Sequence, residues 1–124
     1  MKFPEWTRVA EVELVYKTKV KASERPKVNS SKDIYNILKQ VWDENKIDML
    51  EEFKVIFLNR ANRVTGIYDA SSGGITGTVA DPRLILAAAI KSLSVSIVLS
   101  HNHPSGNLKP SRADEELTLK IKEA

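Results

Sequence analysis

The chain holds two histidines, and they stand two residues apart in His101-Asn102-His103. The run before them, Val95 to Leu99, is uniformly apolar and reads as a strand covered on both faces. A period of two puts both imidazoles on the same side of an extended backbone. Asp114 follows eleven residues after His103, in the first turn of a helix that Ser111 would cap. Two imidazoles and one carboxylate make a three-ligand set, and such a set leaves a fourth position for water, the catalytic arrangement of zinc rather than the closed structural one. Nitrogen and oxygen donors without sulfur suit Zn²⁺, and Mn²⁺, Fe²⁺ or Co²⁺ would also fit. Bound zinc lowers the pKa of its water from about 15.7 to about 7 and polarises a carbonyl. A carboxylate near the metal must still move the proton. Glu51 and Glu52, at the entrance of the apolar run Phe53 to Asn59, are the candidates, and spacing alone does not choose between them. A plainer reading of the same residues exists: Ser111-Arg112-Ala113-Asp114 is also a capping box, and Asn102, Pro104 and Gly106 also shape a turn.

Composition narrows the classes. The chain has 124 residues, 42% hydrophobic and 28% charged, which suits one globular domain. Cysteine is absent, which removes disulfides, thiolate nucleophiles, Fe–S clusters and cysteine-based zinc sites. No apolar run approaches the roughly 20 residues of a membrane span, and Met1 to Thr7 lacks the apolar stretch of a signal peptide. The expected compartment is the cytoplasm. The net charge of +3 is local: Lys2, Arg8, Lys17, Lys19, Lys21, Arg25 and Lys27 outnumber the acidic residues before residue 29, and the rest balances. That surplus permits contact with nucleic acid, although a solvated strand and loop explains it as well.

The elements that must position the site follow from periodicity. Residues 9 to 20 alternate as a half-buried strand. After a loop at 23 to 31, Ser30 and Asp33 start a helix whose stripe is Ile34, Ile37, Leu38, Val41 and Trp42. Phe53 to Asn59 reads as a central strand and Val64 to Tyr68 as its hairpin partner across the turn Arg60-Ala61-Asn62-Arg63. A turn at Ser71-Ser72-Gly73-Gly74 and a short strand from Ile75 to Val79 come next. Asp81-Pro82 opens an Ala-rich helix over Leu84 to Leu93, with Leu84, Ala87, Ala88 and Lys91 marking its turns. Then come the strand into His101, a loop to Pro110, and a last helix with Leu117 and Ile121 on one face. The order β-α-β-β-β-α-β-α gives an α/β (α+β) class, with a mixed sheet flanked by helices. The histidines sit between a strand end and a helix start, where such folds place their sites.

The run His101-Asn102-His103-Pro104-Ser105-Gly106, followed by Pro110-Ser111 and Asp114, resembles the JAMM signature, and more closely the RadC-like branch of the JAB/MPN metallopeptidases. Glu51-Glu52-Phe53 resembles that branch's Glu-x-Phe strand. Thr78-Val79 and Asp81-Pro82-Arg83 resemble the segment before its Ala-rich helix. The resemblance covers residues 30–124, with 1–29 expected as an N-terminal strand and basic loop of the same domain. It implies a mixed, curved sheet between helices, similar to the cytidine-deaminase architecture. It further implies His101, His103 and Asp114 as metal ligands, Ser111 as the residue steadying the oxyanion, and Glu51 as the catalytic carboxylate. The implied activity is that of a zinc-dependent hydrolase in which metal-activated water attacks an amide or isopeptide bond. The family domain continues past its last helix, so the stop at Ala124 suggests a fragment, and an unfinished sheet edge could pair with another chain.

The expected partner is a peptide or protein substrate, with no membrane. Two other readings compete. The family's DNA-repair label and the basic N-terminal residues allow a nucleic-acid-associated repair module or a metal-dependent nuclease. A metal-free scaffold is the third, and the presence of all five mechanistic residues argues against it.

Overall fold

A computed structural model describes residues 20–45, 47–72, 80–106 and 112–123, without the side chains of Ala22, Ser71, Ser72, Ala113 and Asp114. After a 3-10 turn at Ala22–Glu24, the elements are α1 (Ser31–Val41), β1 (Glu52–Leu58), β2 (Val64–Ser72), α2 (Pro82–Lys91), β3 (Ser96–His101) and α3 (Arg112–Glu123). The strands form one sheet in the order β2-β1-β3, antiparallel at both junctions. The predicted strands at 9–20 and 75–79, whose pairing would make the sheet mixed, lie outside the described residues but for Val20.

β1 is central because it is apolar on both sides. Phe53, Val55 and Phe57 face one core with Ile85 and Ala89 of α2, against which Leu117 and Ile121 of α3 also pack. Ile56 and Leu58 face a second core with Val28 and Val64, covered by Ile34, Ile37 and Leu38 of α1. The alternation along one strand thus assigns α2 and α3 to one layer and α1 to the other. Each large side chain buried in these cores contributes roughly 1.5–3 kcal/mol. The register of β1 against β2 shifts at Phe53/Lys54 and at Phe57/Leu58. Such bulges bend and twist a strand.

Several local expectations change in the fold. α1 starts at Ser30 as N-cap, but the Ser30 side chain makes no capping bond. Instead the Asp33 carboxylate accepts the Asn29 N–H at 2.8 Å, one residue upstream of a standard capping box. Val41 of the predicted stripe is exposed, because the buried ridge continues through Trp42. β2 runs four residues past Tyr68, to Ser72, since backbone pairing with Glu52 and Phe53 holds those polar residues in the ladder. That replaces the first half of the turn expected at residues 71–74. β3 packs on both faces as expected, Ile97 and Leu99 against the first core and Val98 against the second, but its residues are only half-buried. In α2 the inward ridge is Ile85, Ala88 and Ala89, while Leu84 and Ala87 face solvent.

α2 is well capped at both ends. Asp81 accepts the Arg83 N–H at 2.9 Å, with Pro82 in the first turn. At the other end Leu93 N–H donates to Ile90 O and Ser94 N–H to Ala89 O, a Schellman arrangement. That motif requires a left-handed residue, and here a leucine takes it, with φ of 57° and a side chain largely in solvent. The left-handed conformation costs a non-glycine residue roughly 1–2 kcal/mol. Leu93→Gly is therefore expected to raise stability by about 1 kcal/mol in urea unfolding. A loss of stability in that variant would show that the exposed leucine packs in a way its exposure denies.

Candidate metal centre

The site forms where the start of β1 meets the end of β3. Phe53 pairs with His101 across the two strands. Its ring stacks on the His101 imidazole, with centroids 5.7 Å apart and planes within 1°. The buried phenyl fixes the orientation of that imidazole. Two residues on, just past the strand, the His103 ring meets His101 edge to face at 4.5 Å. Their Nε2 atoms lie 2.8 Å apart, so the two rings turn the same nitrogen toward one point.

Glu51 completes the group. Its Oε1 lies 3.5 Å from His103 Nε2, and both side chains are more than four-fifths buried. One donor atom from each of Glu51, His101 and His103 falls within 4.8 Å of the others, a cluster able to hold a metal ion. The separations suit such an ion. Ligands about 2.0–2.1 Å from a tetrahedral zinc sit roughly 3.3 Å from one another. The values of 2.8 and 3.5 Å bracket that figure. Two imidazole nitrogens and an adjacent carboxylate are also the right chemical donors.

Glu52 points elsewhere. Alternation sends it toward Lys54, whose Nζ lies 3.5 Å from Glu52 Oε2, bonds Asp69 at 2.5 Å and sits over the Trp42 ring at 5.2 Å. Burial pulls the Lys54 pKa down, but the hydrogen bond and charge of Asp69, with help from Glu52, more than offset this and hold it above the ordinary value. The stability this cluster adds is complete below pH 10.5 and is lost as pH rises through the raised value. Glu52 thus belongs to the ion cluster of Lys54 and Asp69 beside Trp42, whereas Glu51 stands at the histidines.

The other two candidates stand differently. Asp114 occupies the third position of α3, in its first turn, and its side chain lies outside the described residues, as does Ser111. α3 is anchored by Leu117 and Ile121 on the core that contains Phe53, the residue beneath His101.

Asn102, read from sequence as a turn-shaping residue, is engaged over a long range. Its Oδ1 accepts the Glu52 N–H at 2.7 Å, and its Nδ2 donates to Ile47 O at 2.6 Å and to Leu50 O at 2.8 Å. The local turn is made by other groups: Gly106, with φ of 80°, donates its N–H to His103 O at 2.9 Å. No local sequence rule signals the role of Asn102, because its partners lie some fifty residues upstream. Among the described residues, no helix is long and apolar enough to cross a membrane.

A family model described as RadC-like JAB domain matches residues 28–124. A UPF0758 protein of Flavobacterium johnsoniae is 43% identical over 98 residues, covering 79% of this chain and 42% of that protein. A UPF0758 protein of Clostridium beijerinckii is 42% identical over 97 residues, covering 78% and 41%. A third, from Caldanaerobacter subterraneus, is 39% identical over 97 residues, covering 78% and 40%. The chain therefore spans about two-fifths of the length of the curated relatives it matches.

Proposed function

Because the chain belongs to the RadC-like JAB domain family, we propose that it is a cytoplasmic, zinc-dependent hydrolase of amide or isopeptide bonds in a peptide or protein substrate. The observation that carries this reading is the convergence of His101 Nε2, His103 Nε2 and Glu51 Oε1 on one point at the end of β3. His101, His103 and Asp114 would hold the cation. When bound, a divalent ion there supplies an acidified water and polarises the substrate carbonyl.

The chain's own residues would do the rest. Glu51 takes a proton from the attacking water as its oxygen bonds to the carbonyl carbon. It then delivers that proton to the amide nitrogen as the C–N bond breaks, so one carboxylate serves as base and then as acid. Ser111 donates its hydroxyl to the oxygen on which charge develops. Phe53 excludes water from one face of His101 and keeps that ring in plane.

The test is hydrolysis of a peptide and isopeptide library by zinc-loaded chain, with metal content measured alongside. Glu51→Gln is expected to lower kcat about 10²- to 10⁴-fold while the protein still binds metal at saturation. Full activity in Glu51→Gln would overturn the assignment of the proton carrier. A chain with one bound cation that cleaves nothing in the library would overturn the hydrolase reading.

A further inference from the structure

We infer that Asn102 is a positioning residue that sets Glu51 against the two histidines. The inference rests on the reading of this site as a metal centre with Glu51 as its working carboxylate. Asn102 lies between the two imidazoles in sequence, yet its side chain points back across the sheet to the segment that enters β1. Three strong bonds go there: Ile47 O, Leu50 O and Glu52 N–H, all within 2.6–2.8 Å. The Asn102 N–H adds a longer contact to Glu52 O at 3.4 Å.

The choice of partners is informative. Leu50 O and Glu52 N–H belong to the residues on either side of Glu51. One carboxamide therefore grips the backbone before and after Glu51, while the backbone of the same residue carries His101 on one side and His103 on the other. Both halves of the site are tied through a single side chain. Only asparagine among short side chains offers one acceptor and two donors in a plane, so an equivalent grip needs both functions at this length. The Ile47 bond holds the loop one turn further back, and Ile47 and Met49 in that loop are otherwise exposed. Without the Asn102 carboxamide, β1 keeps its ladder from Glu52 onward but the chain loses the side-chain bonds that hold Ile47, Leu50 and Glu52 against the histidines.

The role separates from simple stability in a double-mutant cycle read by Co²⁺. Asn102→Ala is expected to weaken Co²⁺ binding roughly 10- to 100-fold, the range for outer-shell groups, because Glu51 would hold the water on the ion without ligating the ion itself and Asn102 holds Glu51. In a Glu51→Gln background the same substitution should change Co²⁺ affinity hardly at all, because the carboxylate it positions is gone. Thermal unfolding should shift by the same amount in both backgrounds. An undiminished effect on Co²⁺ in the Glu51→Gln protein would overturn the inference.

A second measurement needs no metal. Amide hydrogen exchange at Glu52 N–H should accelerate in Asn102→Ala, and a crystal structure of that variant should show Glu51 displaced from His103. Slow exchange and an unmoved Glu51 would also overturn the inference. Wild-type protein that takes up no Co²⁺ refutes the metal-centre reading, while exchange and crystal structure still decide whether Asn102 holds Glu51. Should Asn102→Ala fail to fold, near-isosteric Asn102→Asp keeps the acceptor for Glu52 N–H but turns charge toward the carbonyls of Ile47 and Leu50. It should release Glu51 in the same crystallographic comparison, and a Glu51 still in place would count against the inference.

Discussion

Replacing His103 by alanine is expected to weaken zinc binding roughly 100- to 1,000-fold while leaving the fold intact. Complete four-ligand sites contribute about 10–16 kcal/mol, so one ligand is worth several kcal/mol, and each 1.4 kcal/mol is tenfold in affinity. His103 is the cleaner of the two histidines to remove. It lies beyond the last residue of β3, and its ring meets His101 and Glu51. His101, by contrast, stacks on buried Phe53, so His101→Ala would lose packing as well as a ligand. Isothermal titration with Zn²⁺, paired with a thermal melt of the metal-free protein, separates the two effects. A His103→Ala protein that binds zinc as tightly as the parent would remove His103 from the ligand set.

The largest effect on stability is expected from Ile85→Ala, at about 2–5 kcal/mol. Ile85 is fully buried and sits among Phe53, Val55, Phe57, Ala80 and Ala89. The same core receives Leu117 and Ile121 of α3, the helix that carries Asp114. A cavity there loosens the joint between α2, α3 and the strand that supports His101. A small domain is stable by only about 5–15 kcal/mol, so such a loss is a large fraction of the whole. The neighbouring Leu84 is 56% exposed, and Leu84→Ala is expected to stay within about 0.5 kcal/mol of the parent. Urea unfolding of the two variants decides which ridge of α2 faces the sheet. Equal losses would contradict the packing described here.

Much of this arrangement was readable from local chemistry. Apolar residues on both faces from Phe53 to Leu58 mark β1 as central, Asp81-Pro82 marks a helix start, and two histidines in alternate positions of an extended segment share a side. These are rules of period and capping that operate within a few residues. Effects carried by tertiary pairing escaped such rules. The extension of β2 through Asp69, Ser71 and Ser72 runs against β propensity and is imposed by the β1 backbone. The inward ridge of α2 depends on where the sheet lies, and several apolar residues on that helix could have faced it. Glu51 and Glu52 are adjacent and chemically equal in sequence. The register of β1 sends one to His103 and the other to Lys54. The bonds of Asn102 cross fifty residues, and nothing local announces them.

The central claim is that two imidazoles and a distant carboxylate share one divalent cation. Anomalous diffraction at the zinc edge, from crystals of the untagged chain grown with Zn²⁺, tests it most directly. The expected map holds one zinc per chain, with His101 Nε2, His103 Nε2 and an Asp114 oxygen each about 2.0–2.2 Å away. Zinc bound elsewhere, or an Asp114 carboxylate more than about 6 Å from both rings in a zinc-soaked crystal, would contradict it.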